Sequence, residues 1–263
     1  MKNIYIALFL AIIISIPLQD IYAAYPAETD DNPFSVYFLG VGISGSTFPK
    51  NSSTWKNISF SIDPNDHVIG GSFDGMESSI RASLTTNIDR KSNFLLPISY
   101  EYMFMRAGEL IYYNLTPQIN YHGTFNHKID VQKFSIGLDW QALQTPFKDV
   151  KIYLGLDAKA FLITNQEFTR TDVKIQNDST VQIDKFPYLP KEDAFRFGCE
   201  GKIGFRGHLI NKFYLNTFIG YEVFNLLGRE DKRGQLFTPF SKYEPKEELI
   251  TAWHYYLSIE YKF

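Results

Sequence analysis

The sequence of 263 residues has little of what marks several large classes of protein. Its single cysteine excludes an intramolecular disulfide framework and a metal cluster built from cysteine thiolates. Basic residues are not in excess, since 26 Lys and Arg stand against 29 Asp and Glu. This balance disfavours a nucleic-acid-binding protein, which needs surplus positive charge to neutralise phosphates. We therefore expect no nucleic-acid partner, no metal ion and no cofactor.

Long apolar runs are also scarce, and the most prominent lies at the N-terminus. Residues 4–18 are mostly apolar, follow a start that carries Lys2, and lead to the small residues Ala23 and Ala24. This order is typical of a secretory signal peptide cleaved after Ala23 or after Ala24. A membrane anchor is the alternative, although the run is short for a span of about 20 residues. The sequence thus predicts a signal peptide (1–23), a short N-terminal segment (24–33) and one domain (34–263).

Aromatic residues, by contrast, are abundant, because 23 Phe, 17 Tyr and 3 Trp make up 16% of the chain. Charged residues still make up 21%, and no apolar stretch after the N-terminal run is long enough to form a membrane helix. This combination indicates structural elements with one apolar face and one face in contact with water.

The C-terminal segment, Thr251 to Phe263, shows how such surfaces arise. Alternate residues such as Trp253 and Leu257 are apolar, whereas the residues between them include His254 and Glu260. Because successive side chains of a strand point to opposite faces, this segment is a strand with one apolar and one polar face. Its length of about 13 residues exceeds the usual 5 to 6 of soluble strands and suits a tilted bilayer crossing of about 9 to 11 residues.

Nine further segments alternate in the same way, and several carry charged side chains in mid-strand. Burying these charges in a soluble core, or leaving the long apolar faces in water, would be unfavourable. A closed barrel in lipid satisfies both faces and pairs every backbone group. The nine segments are Tyr37–Ser44, Ile58–Ile62, Ile80–Ile88, Leu96–Phe104, Leu115–His122, Phe134–Gln141, Ile152–Leu162, Phe195–Arg206 and Phe213–Val223.

The predicted fold is therefore all-β, a closed antiparallel up-and-down transmembrane β-barrel of about ten strands. An even number with both termini on one side is expected for this class. The weakest segment is Trp55–Asp63. If this region belongs to an elaborated first loop, the barrel has eight strands, which is the alternative.

The connections between segments alternate in length, as expected for periplasmic turns and extracellular loops. Two are long and polar, Thr164–Asp193 and Asn225–Glu248, and both contain aromatic residues and prolines among charges. These long loops are candidate binding surfaces. The short connections are Arg106–Leu110, Ala142–Asp149 and Gly207–Lys212.

The polar faces of the segments define the candidate lumen of the barrel. Barrels of eight to ten strands have interiors largely filled by side chains, so we expect a structural ion-pair network rather than the lining of a narrow, porin-like pore, which is the alternative. The residues predicted to face the lumen are Glu101, Asp157, Lys159, Arg196, Glu200, Lys202, Arg206, Glu222, His254 and Glu260.

Catalysis would require a histidine beside a nucleophile or an acid. His122 and His127 lie near Asp130 and could form an aspartate–histidine pair at the extracellular rim, as in the omptin proteases. The paired acidic motifs of omptins are missing, as are the motifs of lipid A deacylases and outer-membrane phospholipases. We therefore expect no enzyme, and keep a rim-active outer-membrane hydrolase, either an omptin-like protease or a lipid-modifying enzyme, as an alternative.

The C-terminal Tyr261-Lys262-Phe263 resembles the signature of outer-membrane barrel proteins. Gly40–Ser44 and Leu96–Ile98 resemble features of the small outer-membrane β-barrel domain common in Bacteroidota. The resemblance implies the outer membrane of a Gram-negative bacterium, contact with outer-membrane lipids and lipopolysaccharide, and no shared catalytic residues. It also implies that Tyr261 and Phe263 form the signal for the barrel-insertion machinery. The expected role is structural, or surface binding through the long extracellular loops.

Overall fold

The computed structural model describes residues 36–49, 73, 75–89, 91, 93–116, 119–144, 150–177, 179–187, 191–231, 236–237 and 246–263. The predicted signal peptide, the segment 24–33 and the segment Ile58–Ile62 lie outside these ranges. Within them, no helix is long and apolar enough to cross a membrane. The strands are β1 (Tyr37–Thr47), β2 (Met76–Asn87), β3 (Phe94–Thr116), β4 (Ile119–Gln144), β5 (Val150–Gln176), β6 (Ser179–Pro187), β7 (Ala194–Ile210), β8 (Phe213–Leu227) and β9 (Thr251–Lys262).

Eight of these strands close into a barrel. Each of them pairs antiparallel with its neighbours in the order β1, β2, β3, β4, β5, β7, β8, β9, and β9 returns to pair with β1. The all-β, closed antiparallel fold is thus confirmed, with the strand number of the eight-stranded alternative. Tyr37 and Lys262 lie at the same end of the barrel, which we call the terminal end; the opposite end is the loop end.

The connection expected at Arg106–Leu110 is wrong, because β3 runs through it without interruption. The strand expected at Leu115–His122 is also wrong, since this stretch contains the link between β3 and β4. Arg106 lies opposite Lys128, and Asn114 lies opposite Asn120. The two backbones stay paired at every position between these two points. Cross-strand pairing here outweighs the local turn preference of the Gly-containing sequence that suggested a break.

The long loop expected at Thr164–Asp193 is largely a β-hairpin. β5 continues to Gln176, and β6 folds back along it from Ser179. Asn177 sits in the tight turn with a φ of 49°, a left-handed conformation that Asn tolerates. β3, β4 and β5 have 23, 26 and 27 residues, against 11 or 12 in β1 and β2, so they project beyond the barrel. With β6 they form an extension sheet at the loop end, made of 106–116, 119–129, 164–176 and 179–187.

The outer wall of the barrel is a broad apolar surface. Val41 and Leu156, for example, are 61% and 65% exposed. Phe94 and Phe104 both face outward on β3, ten residues apart, and so span about 34 Å of strand, or about 26 Å along the axis at a tilt of about 40°. This height matches the apolar band of about 25 Å in membrane barrels. The chain is therefore a transmembrane β-barrel of the outer-membrane type.

Candidate functional site

The interior of the barrel holds all ten residues predicted to face the lumen. They lie at alternate strand positions, opposite to the exposed apolar side chains, because of the period of two. None is more than 6% exposed. The interior therefore contains a dense set of buried charges, which are stable only when they are paired.

The middle of this interior is organised around two lysines. Lys159 contacts Glu200 at 2.7 Å and Glu222 at 2.5 Å. Lys133 contacts Glu101 and Glu222, each at 3.0 Å. Each ammonium group thus bridges two carboxylates from different strands, and the bridges tie β3, β4, β5, β7 and β8 together across the lumen.

His254 completes this central cluster. Its Nδ1 lies 2.6 Å from Glu200 and its Nε2 lies 3.2 Å from Glu101, so both ring nitrogens face carboxylates. Glu200, Glu222 and His254 have donor atoms within 4.8 Å of one another, a spacing that could hold a cation. The ammonium group of Lys159 already contacts both carboxylates. The lysine ammonium group therefore occupies the place that a bound cation would take, and the three residues belong to an ion-pair network.

A second ion-pair group lies nearer the terminal end. Lys202 contacts Asp157 at 2.7 Å and Asp139 at 3.0 Å. Arg81 lies 3.7 Å from the same Asp157, and its guanidinium is 5.1 Å from the centre of the Phe218 ring. These contacts link β2, β4, β5 and β7 on the terminal-end side of the central cluster.

The ion pair nearest the terminal end is Arg206 with Glu260. Nε of Arg206 donates to Glu260 at 2.6 Å, and the amide of Asn216 donates to the same carboxylate at 2.6 Å. The hydroxyl of Tyr153 in turn donates to Asn216 at 2.8 Å. This pair and its two neutral partners close the interior at the terminal end.

Sequence reasoning missed three members of this network: Arg81, Lys133 and Asp139. Arg81 and Asp139 occupy the polar faces of predicted segments, so the alternation itself contained their signal. Lys133 directly precedes the segment Phe134–Gln141, and extending that segment by one residue would have included it.

Toward the loop end the interior becomes apolar, which differs from the expectation of a polar inner face along the whole strand. Met103 and Met105 follow Glu101 on the inner face of β3 and are fully buried. Leu236 and Phe237, from the connection between β8 and β9, lie in the same apolar cluster with no exposed surface. The other members are Phe48, Phe73, Ile129, Val131, Phe161, Ile163, Ala194, Phe224, Ile250 and Ala252.

Arg196 of β7 forms hydrogen bonds to the connection between β8 and β9. Its Nη2 donates to Glu247 at 2.6 Å and to Asp231 at 2.7 Å. The amide nitrogen of Asn225 also donates to Glu247, at 2.6 Å, and its oxygen accepts from the backbone N–H of Ile250 at 2.7 Å. Both ends of the connection are thus held by hydrogen bonds, with Leu236 and Phe237 between them.

The aspartate–histidine pair considered for catalysis does not form between His127 and Asp130. Positions three apart on a strand point to opposite faces, so His127 faces inward between the rings of Phe73 and Phe168. Asp130 faces outward, where Arg106 donates to it at 2.7 Å. Burial, and more weakly the positive charge of Lys191, lowers the pKa of His127 to about 3. The His122 side chain lies outside the residues whose side chains are described.

The predicted insertion signal lies on the outer wall at the terminal end. The rings of Tyr261 and Phe263 are 5.1 Å apart, and Tyr261 also packs against Phe213 at 5.4 Å. The backbone N–H of Phe263 donates to the carbonyl of Tyr37 at 2.9 Å. The last residue of the chain thus forms part of the seam that closes the barrel.

No protein-family model and no curated protein matches the chain. Among solved structures, the outer membrane protein OprG from Pseudomonas aeruginosa aligns with a TM-score of 0.43 and 10% identity over 90% of this chain and 99% of that one. Neisserial surface protein A aligns with a TM-score of 0.38 and 11% identity, over 86% and 97%. The attachment invasion locus protein of Yersinia pestis aligns with a TM-score of 0.36 and 8% identity, over 87% and 98%. All three scores are below 0.5, so the fold described above rests on the strand pairing of this chain.

Proposed function

We propose that this chain is a closed, non-conducting and non-enzymatic barrel of the outer membrane of a Gram-negative bacterium, which presents its extension sheet and loops for binding at the cell surface. The loop end is the extracellular end in this proposal, and the terminal end faces the periplasm. Short turns at the terminal end, such as the one at Asn211, and long connections at the loop end support this orientation.

The observation that carries the proposal is the presence of two seals in series along the lumen. The lower seal is the ion-pair network around Lys159 and Lys202, which crosses the interior from wall to wall. The upper seal is the apolar cluster into which Leu236 and Phe237 insert. A solute would have to displace both layers, so the structural network is favoured over the narrow, porin-like channel.

Surface binding is supported by the shape of the loop end. Three of the barrel strands and β6 project past the apolar band, and a purely structural barrel has no need of such a sheet. Ile183 of β6 is exposed, as are its neighbours Gln182 and Lys185. Exposed apolar residues among polar ones on a rigid scaffold suit recognition of another molecule.

The remaining parts of the proposal concern targeting and surroundings. Residues 1–23 act as a cleaved signal peptide, and Tyr261 with Phe263 form the signal for the insertion machinery. Lipids and lipopolysaccharide surround the apolar wall. The Bacteroidota type of barrel domain, based on Gly40–Ser44 and Leu96–Ile98, belongs to the same proposal.

Planar-bilayer recording of the purified full chain tests the proposal. We expect no stable conductance from the wild type. The double variant Leu236→Ala/Phe237→Ala removes the centre of the upper seal and should also stay closed, because the ion-pair layer lies beneath it. Stable conductance in the wild type would overturn the closed barrel, and conductance in the variant alone would show a gated channel instead.

A further inference from the structure

Two cationic residues stand side by side on the outer face at the foot of the extension sheet. Arg106 on β3 is directly opposite Lys128 on β4, and their side chains are 45% and 55% exposed. Like charges in directly opposed positions repel each other. The pair is therefore a candidate site for an anion that touches both.

Two carboxylates lie near this pair, and they hold the two cations to different extents. Asp130 contacts Arg106 at 2.7 Å and is only 10% exposed, so it acts as a fixed support beneath the guanidinium. Glu167 lies 3.7 Å from Lys128, beyond hydrogen-bond distance, and is 68% exposed. An exposed pair at this distance is weak, so an incoming anion can replace Glu167 as the partner of Lys128.

The guanidinium of Arg106 is held in one orientation. Its Nη1 donates to the carbonyls of Met105 and Ile129 at 2.8 and 3.0 Å, and its Nη2 donates to Asp130. A guanidinium has five N–H donors. Three are used here, and the other two have no acceptor in the part of the chain that the structure describes. An oriented guanidinium with two remaining donors suits a phosphate, which accepts paired hydrogen bonds.

The depth of the pair selects the source of the phosphate. Among the outer-face residues of β3 whose side chains the structure describes, Phe104 is the last exposed apolar one, and it ends the apolar span of about 26 Å that begins at Phe94. Arg106 is the next residue on that face, and its guanidinium carbon lies 6.0 Å from the centre of the Phe104 ring. The pair thus lies just beyond the apolar band, at the level of lipid headgroups. A lipid bound there would place its acyl chains along the apolar wall below.

We propose that Arg106 and Lys128 bind a phosphate of lipid A, the anchor of lipopolysaccharide, in the outer leaflet. Arg106 provides the oriented pair of donors, and Lys128 provides a second, mobile charge. This inference rests on the proposed orientation, in which the loop end faces the outer leaflet.

Native mass spectrometry of the detergent-solubilised full chain, titrated with phosphorylated lipid A, tests the inference. The double variant Arg106→Gln/Lys128→Gln should bind about 25-fold more weakly, since each cation at a lipid surface contributes about fivefold. The matched control Lys91→Gln/Lys212→Gln removes two charges from turns at the terminal end and should bind as the wild type does. Heat-modifiable gel mobility checks that all variants are folded.

Chemical controls identify the ligand. Dephosphorylated lipid A should bind the wild type weakly and show no difference between variants, and millimolar inorganic phosphate should not compete. Equal affinity of the two double variants, or an equal loss for dephosphorylated lipid A, would overturn the inference, as would competition by inorganic phosphate. An equal loss for phosphatidylglycerol would assign the pair to phospholipid headgroups instead of lipid A.

A second measurement separates this inference from the proposed function. If Lys185, which is exposed farther out on the extension sheet, reacts with an impermeant amine reagent only after cells are permeabilised, the orientation and therefore the proposed function fail. If Lys185 reacts on intact cells but the charge-removing variant keeps its lipid A affinity, only the lipid A site fails.

Discussion

Arg196 and Glu247 are 51 residues apart in the chain, and they meet inside the barrel mouth with both side chains buried. Arg196 belongs to the wall strand β7, whereas Glu247 belongs to the connection that carries Leu236 and Phe237 into the lumen. Because a buried charge without its partner is strongly unfavourable, this contact ties the position of the connection to the wall.

Replacing Arg196 with Gln should release the connection between β8 and β9. The variant leaves the Glu247 carboxylate without its charged partner, so outward movement of the connection relieves the penalty. We expect trypsin to cleave this connection at least about tenfold faster in the folded barrel, which corresponds to about 1.4 kcal/mol. Time-resolved mass spectrometry of the fragments measures the rate.

The matched control for this change is Glu230→Gln, which removes an exposed charge from the same connection. Its cleavage rate should equal that of the wild type. Equal rates in Arg196→Gln and the wild type would contradict the role given to the contact.

Replacing Lys159 with Met should lower the free energy of unfolding by about 3–5 kcal/mol, since it leaves Glu200 and Glu222 buried without their shared cation. Adding Glu222→Gln should recover part of the loss because it removes one excess negative charge. Urea unfolding in lipid vesicles, followed by tryptophan fluorescence, gives the free energies of unfolding.

The control is Lys185→Met, which replaces an exposed lysine of β6. It should change the free energy of unfolding by less than about 0.5 kcal/mol. A similar loss of stability in Lys159→Met and Lys185→Met would argue against the network.

The extension sheet should lose stability on acidification because of His127. Its pKa is about 3 in the folded chain, against an ordinary value of 6.5, so only the unfolded segment takes up a proton between these values. Stability is therefore fully present above pH 6.5 and falls as the pH drops toward 3. Hydrogen exchange of the amides of 119–129, corrected for the intrinsic pH dependence, measures this loss.

His127→Phe keeps a ring between Phe73 and Phe168 but cannot bind a proton. Exchange in this variant should vary much less between pH 6.5 and 3. The same pH slope as in the wild type would show that another group causes the effect.

Amine labelling of intact cells should distinguish the two ends of the barrel. Lys185 is exposed at the loop end and should react with an impermeant reagent, while Lys91 and Lys212 at the terminal end should react only after permeabilisation. Lys191 lies at the loop end but is buried and should stay unreactive. The opposite pattern would place the loop end in the periplasm.

The period of two was sufficient to predict the barrel and to assign nine charged residues and His254 to its inner face, where the structure buries them. Each of these positions depends only on the local alternation of side chains, as in Thr251–Phe263. Alternation over ten or more positions gives each strand one apolar and one polar face, and the length of the strands together with their mid-strand charges favours a bilayer crossing over a soluble sheet. That argument needs no knowledge of the neighbouring strands.

Features that depend on distant pairing could not be predicted in this way. β3 continues through Arg106–Leu110 because it pairs there with β4. The local sequence of β3 does not show which residues of β4 lie opposite it. The upper seal likewise depends on Leu236 and Phe237, which enter the lumen from the connection between β8 and β9. Two apolar residues in a loop do not indicate which part of the fold they will contact. Met103 and Met105 are apolar residues on an inner face that carries Glu101, and the connection provides Leu236 and Phe237 to the cluster that buries them.

The pairing of β1 with β9 has a consequence for biogenesis. Leu39 lies opposite Tyr261, so the first and last strands of the domain must meet before the cylinder exists. Until then β1 and β9 both present unpaired backbone groups, which lipid cannot satisfy. The barrel can therefore close only after β9 is available to pair with β1, and a truncation that removes β9 leaves an open sheet rather than a smaller barrel.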